Sequence, residues 1–254
     1  MRLKICIEAP IVPIVYRHRV LSLIKEALKK AGIEDKKAYF CFNLSLPTNK
    51  NPKIADITID EEYSIRDLVF RLKNKEIGLY ISSTDRNFIN AVIEGIKKIK
   101  VFHFSSDKTM LVDGKKIFWR IKSVEIIEEE KIQTEEVLFK TNSPILLEKD
   151  KKPVLYNEPI FEKILNENIK QRFLNILNRE PKKEIKFQPI SMGKVVVKHT
   201  LKSFREKTGK PIMYLTGNAG RFKLIGDTED LEIIYQTGIG LRTNQGFGMI
   251  NVLT

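Results

Sequence analysis

The chain has 254 residues, of which 42% are hydrophobic and 30% charged, values that suit a folded globular protein and exclude a disordered or collagen-like one. Its 45 Lys and Arg against 32 Asp and Glu leave a formal net charge of +13, which draws polyanions toward the surface. No apolar run reaches the roughly 18 residues a membrane span needs, and Glu8, Pro10 and Pro13 break any signal-like start, so a cytoplasmic protein with no membrane partner is expected.

Charge alone names no ligand, because a Lys-rich surface also serves solubility. The two cysteines, Cys6 and Cys41, stand in apolar alternating stretches without a C-x-x-C pair. They are expected to be core thiols and not metal or redox groups.

Leu3, Ile5 and Ile7 alternate with Lys4, Cys6 and Glu8, the period of a strand with one buried face. From about Arg17 to Ala31, apolar residues recur at helical spacing and Gly32 provides a stop, which predicts a basic amphipathic helix. Strands are predicted at Tyr39 to Leu46 and Ile54 to Ile59, joined by an exposed loop from Pro47 to Pro52 with Lys50 and Lys53 at its end. A strand at Ile77 to Ser82 leads to a helix capped near Thr84 or Asp85. Val101 to Phe104 and Lys116 to Ile127 follow as strands. This order is β-α-β-β-α-β, the split βαβ pattern of a ferredoxin-like fold.

A second copy of that order follows. Val137 to Leu147 reads as strand, Pro159 to Leu177 as helix, and Val195 to Thr200 and Ile212 to Leu224 as strands. A short helix at Thr228 to Tyr235 and a strand at Phe247 to Leu253 complete it. The fold class is therefore α+β, with two tandem domains. The polar run Glu128-Glu129-Glu130-Lys131 sets the expected boundary, giving domains 1–128 and 129–254. A groove between packed halves is the natural seat of an extended ligand.

Gly238, Gly240, Gly246 and Gly248 fall within eleven residues, just before the closing strand. Glycines allow positive φ and close approach, so consecutive amides could face phosphate oxygens. The segment follows a helix and ends the chain, which is not the setting of a dinucleotide fingerprint. Arg242 sits mid-loop, where a phosphate contact needs a cation; the plainer alternative is a turn that lets the last strand reach its place.

These residues resemble the CRISPR-associated repeat-processing endoribonucleases, the sixth Cas family, whose C-terminal signature is a GxG segment followed by GFG and a final strand. The likeness extends to Gly220-Arg221-Phe222-Lys223-Leu224-Ile225-Gly226, to Asn142-Ser143-Pro144-Ile145 and to Tyr16-Arg17-His18, and so covers most of the chain. It implies two ferredoxin-like (RRM-like) domains with a glycine-rich loop and CRISPR repeat RNA as the partner. It also implies an endoribonuclease that uses neither metal nor cofactor and leaves a 2′,3′-cyclic phosphate after 2′-hydroxyl attack. Effector-complex subunits as further partners, and a monomer or homodimer, belong to the same expectation.

Many members of that family use a histidine just after the first helix and a tyrosine on it. This chain departs from both: its histidines are His18, His103 and His199, and Lys25 takes the tyrosine's place. Alignment and cationic stabilisation can still supply much of such a cleavage. The candidate catalytic groups are therefore Lys25 and Lys29 on the first helix, Lys50 in the following loop, Arg242, and His18, whose pKa a helix start would lower. Candidate RNA contacts are Lys53, His199, Arg221, Arg242 and the four glycines. Some have a plainer alternative: Lys25 and Lys29 could be a solvated helix face, His18 a capping or packing residue, and His199 an exposed strand end. Phe118, Trp119 and Arg120 form a stacking surface if exposed, and core if the strand's alternation governs. The second functional class in view is a non-catalytic repeat-RNA binder or scaffold subunit.

Overall fold

The computed structural model of the chain describes residues 1–33 and 38–253. Strand β1 (Arg2–Glu8) buries Leu3, Ile5 and Ile7, the face the alternation predicts. After the short β2 (Ile11–Pro13), α1 (Arg17–Lys30) buries Val20, Leu23, Ile24 and Ala27. It ends in a Schellman closure: Gly32, at φ +80°, donates to the Lys29 carbonyl and Ile33 donates to that of Leu28. Next come β3 (Phe40–Ser45), β4 (Asn51–Thr58), β5 (Ser64–Arg71) and β6 (Glu76–Ser83). Helix α2 (Arg86–Lys98) starts at Asp85, whose carboxylate accepts from the Phe88 amide. Strands β7 (Val101–His103), β8 (Leu111–Val112) and β9 (Phe118–Ile127) close the first half.

The second half runs β10 (Glu136–Thr141), β11 (Glu148–Lys149), β12 (Lys152–Pro153), α3 (Phe161–Leu177) and β13 (Lys186–His199). It continues with α4 (Lys202–Thr208), β14 (Met213–Ile225), α5 (Thr228–Thr237), a 3-10 turn at Thr243–Gln245 and β15 (Ile250–Val252).

The first sheet has the order β3-β6-β1-β9-β7 and the second β13-β14-β10-β15, all pairs antiparallel. In each half the first strand of the β-α-β-β-α-β series lies centrally, between the third and the fourth. The two halves are thus two ferredoxin-like domains. A separate sheet, β2-β5-β4-β8, joins the β4–β5 hairpin inserted between β3 and β6 to β2, which precedes α1, and to β8, which follows β7.

Several details differ from the sequence expectation. Lys53 lies within β4 and not in the preceding loop. The strand expected from Val137 to Leu147 stops at Thr141, and the final strand spans only Ile250–Val252; beyond Thr141 the amides of Asn142 and Ser143 both donate to the Met249 carbonyl, and Ile145 bridges to Asn218. Strand β13 starts at Lys186, well before Val195. Strands β2 and β5 and helix α4 had no expectation at all.

One core lies under the first sheet and packs Phe42, Phe88, Phe102 and Trp119; the other packs Phe139, Phe161, Phe173 and Phe222. Helices α1 and α2 cross at Gly95, where a Cβ would sit 1.8 Å from the Ala27 carbonyl oxygen. The domains are tied by Arg2, whose Nη2 donates to the Ile250 carbonyl at 3.0 Å and whose guanidinium lies 4.1 Å from the Tyr235 ring centre. Lys198 reaches across to Asp67 at 2.6 Å.

Candidate functional site

The start of α1, the end of β13 and the glycine-rich segment converge where the domains meet. Arg17 donates from Nε to the Gly246 carbonyl at 3.2 Å, and its guanidinium lies 4.9 Å from the Phe247 ring centre. His199 meets the same phenyl ring edge-on at 5.9 Å. Beside it stands Arg205 of α4, whose Nη1 donates to Thr200 Oγ1 and whose Nη2 pairs with Asp60, each at 2.7 Å.

Two imidazoles are enclosed in this cationic setting. His18 is pushed down to about 3, first by burial and then by Arg19, His199 and Arg205. His199 is pushed down to about 4, first by burial and then by Arg17 and Arg242. Both rings are neutral at neutral pH, since no carboxylate among the described residues offsets the cost of charging them. His18 Nδ1 and both nitrogens of His199 find no hydrogen-bond partner among the described residues. Gln245 lies near enough to raise the His199 value, yet its geometry falls short of a hydrogen bond and its Oε1 is also unpaired. The helix start is thus not what lowers His18; burial is. His199 is not an exposed strand end either, because only 1% of its surface is accessible.

The glycines face inward. The amides of Gly238, Gly246 and Gly248 donate to the carbonyls of Ile234, Thr243 and Pro144. A Cβ on Gly238 would meet Cys41 at 2.8 Å, on Gly240 the Leu146 carbonyl oxygen at 2.5 Å, on Gly246 the Phe42 ring at 2.6 Å, and on Gly248 the Ile239 carbonyl oxygen at 1.9 Å. Their smallness lets the segment press against β3 and the 144–146 stretch. The expectation of free amides facing phosphate is therefore corrected for three of the four. Arg172 of α3, buried, fixes the segment by donating to the Thr237, Gly238 and Gly240 carbonyls.

Arg242 is the exception within the segment. Its backbone is left-handed, at φ +57°. Its half-buried guanidinium makes no hydrogen bond or ion pair among the described residues.

The lysines lie elsewhere. Lys25 and Lys29 are exposed on α1, Lys50 lies 5.7 Å from the Phe70 ring centre, and Lys53 is exposed on β4. None of the four hydrogen-bonds or ion-pairs with the interdomain cluster among the described residues. Arg221 is exposed on β14. Trp119 is fully buried, so the stacking surface suggested for it does not exist. His103, at the end of β7, is exposed and meets Phe118 edge-on at 5.1 Å. Sequence reasoning passed over Arg17, Arg172, Arg205 and Gln245, whose roles depend on the docking of the two domains.

Fold and cluster together define a tandem ferredoxin-like protein with a basic seam between its domains. Residues 127–252 match the family described as CRISPR associated protein Cas6, C-terminal. The CRISPR-associated endoribonuclease-like protein Cas6 of Pyrococcus furiosus is 24% identical over 270 residues, spanning 97% of this chain and 94% of that one. The C-terminal half of the chain thus carries the C-terminal domain of the Cas6 family. Among solved structures, one from the characterization of a Cas6-related gene of Pyrococcus furiosus superposes with a TM-score of 0.74 at 21% identity, covering 100% of this chain and 98% of the other. Another, described as an RAMP protein binding different RNA substrates, gives 0.73 at 19% identity with full coverage of both chains. A Cas6 product complex gives 0.61 at 10% identity, covering 99% of each. These likenesses establish the shared fold.

Proposed function

We propose that this chain binds CRISPR repeat RNA along the seam between its domains, with Arg242 and Arg17 gripping backbone phosphates. The observation that carries the proposal is the unpaired, half-buried guanidinium of Arg242. Partial burial of a lone cation costs free energy unless an anion meets it, and a phosphate matches the guanidinium fork. The match to the Cas6 family narrows that anion to repeat RNA, and the net charge of +13 supplies long-range attraction. Fluorescence anisotropy with the repeat RNA of the genome that encodes the protein is the test. Saturable binding that weakens in Arg242→Gly is expected; absence of binding at low salt refutes the proposal.

A second reading, metal-independent cleavage leaving a 2′,3′-cyclic phosphate, is favoured by two neutral imidazoles, His199 beside Arg17 and Arg242 and His18 beside Arg19 and Arg205. A neutral imidazole can accept the 2′-hydroxyl proton, and a guanidinium can stabilise the charge that builds on phosphorus. Lys25, Lys29 and Lys50 then act as outlying grips on the RNA. Incubation in EDTA separates the readings. A cyclic-phosphate product that disappears in both His18→Ala and Arg242→Gly supports cleavage. Intact, tightly bound RNA leaves a scaffold that presents repeat RNA to effector-complex subunits.

A further inference from the structure

Beside the histidine cluster, a cleft of about 440 Å³ opens between α3, the start of β3 and the glycine-rich segment. Its chemistry differs from the rest of the surface. The solvated faces of this chain are rich in charge, and α3 itself carries Glu162, Lys163, Glu167 and Lys170. Asn168, Gln171 and Asn175, at three- and four-residue spacing, stand instead on the one face of α3 that lines the cleft. Asn244 adds a fourth carboxamide from the opposite wall, and no carboxylate lines the cleft among the described residues.

These amides are not engaged in holding the fold. Asn166, on the same helix, shows what an engaged one does: it donates from Nδ2 to the Ile185 carbonyl at 2.8 Å and accepts the Ile185 amide at Oδ1 at 2.9 Å. By contrast, Asn168 Oδ1 is buried without a partner. Gln171 Nε2 reaches Asn175 Oδ1 only at 3.5 Å. The wall behind them is rigid, because Arg172 on the same face is fully committed to the carbonyls of residues 237, 238 and 240.

A carboxamide presents a donor and an acceptor side by side, which is the pattern of a nucleobase edge. Tyr39, 38% exposed at the cleft, offers a ring face on which a base can stack. Arg242 stands at the same cleft, where the attached phosphate would lie. We propose that this cleft takes one unpaired nucleobase of single-stranded RNA, with Gln171 and Asn175 reading its edge and Tyr39 stacking on its face. The proposal rests on the RNA-binding reading above and adds base selectivity to it.

The test is a coupling measurement on the full chain, with repeat RNA carrying a single abasic nucleotide at successive positions. For wild type, one position is expected where loss of the base weakens binding about tenfold, the size of one good paired contact. In Gln171→Ala/Asn175→Ala, whose two sites are exposed and leave the core intact, binding of intact RNA is expected to fall by a similar factor. Removing the same base should then cost clearly less than in wild type, because only the Tyr39 stack remains to be lost. Uniform tolerance of abasic positions by wild type, or an undiminished penalty in the double variant, overturns the pocket while RNA binding stands. Wild type that binds no RNA overturns both.

Discussion

Arg242 combines a left-handed backbone with a guanidinium that has no partner within the described residues. Any side chain with a Cβ bears the steric cost of positive φ, about 1 kcal/mol, and glycine does not. Arg242→Gly therefore removes the cation while relaxing the backbone. Its thermal midpoint is expected to be unchanged or slightly raised, while its RNA affinity falls severalfold. A variant that melts early but binds RNA normally would mark Arg242 as structural. The histidines make a separate prediction. Their folded pKa values, about 3 for His18 and about 4 for His199, lie below the ordinary value of about 6.5. Between those limits the unfolded chain binds more protons, so stability is full above pH ~6.5 and declines as pH falls toward ~4. Each histidine contributes a slope of up to about 1.4 kcal/mol per pH unit. Carboxylates with lowered pKa, such as Asp107 and Glu229 beside their lysines, act only below their ordinary values of 3.8 and 4.5. Urea unfolding at pH ~5 and ~7 is the measurement. His199→Leu, which breaks no hydrogen bond, is expected to shrink the difference; a wild type equally stable at both values would show the rings to be hydrated.

At the scale of elements, α3 holds the glycine-rich segment through one residue. Burial lowers the Arg172 pKa to about 10, and no carboxylate pairs with it among the described residues. Its donors are met by carbonyls, including that of Thr237 at the negative end of α5. Arg172→Met keeps much of the volume and leaves these carbonyls unpaired, at a cost of about 3 kcal/mol. A clearly lowered thermal midpoint is expected, and an unchanged one would mean that water reaches the carbonyls. Most elements were legible from the sequence because apolar spacing governs them: α1, α2, α3 and α5 follow the helical period, and β1 and β6 alternate. Strand β5 was not, because its buried Asp67 breaks the alternation and finds its countercharge in Lys198 from the other domain. Helix α4 is a single short segment that carries no apolar stripe of its own. In the glycine-rich segment the count of glycines could be read, but their direction could not. Gly238 and Gly246 face Cys41 and Phe42, which lie far away in sequence.

At the scale of the whole molecule, the seam is assembled from residues that no local pattern connects: Arg17 meets the Gly246 carbonyl across 229 positions. Arg242 and the excess of positive charge could be read in advance. The enclosure of His18 and His199 could not, since it follows from docking one ferredoxin-like domain on the other. The charge leads to the final prediction. Binding that neutralises phosphates releases condensed counterions, so the logarithm of affinity falls linearly with the logarithm of salt, by about 0.7 per contact for single strands. With a net charge of +13, the affinity for repeat RNA is expected to fall steeply between low and physiological salt. The slope also distinguishes the two kinds of contact assigned above. Arg242→Gly removes a phosphate contact and should reduce the slope by about 0.7. Gln171→Ala/Asn175→Ala removes only neutral contacts to a base, so its line should shift downward in parallel with wild type. An affinity that stays flat with salt would remove the electrostatic basis of the proposed function. A slope reduced equally in both variants would mean that the amides of the cleft lie along the RNA backbone and read no base.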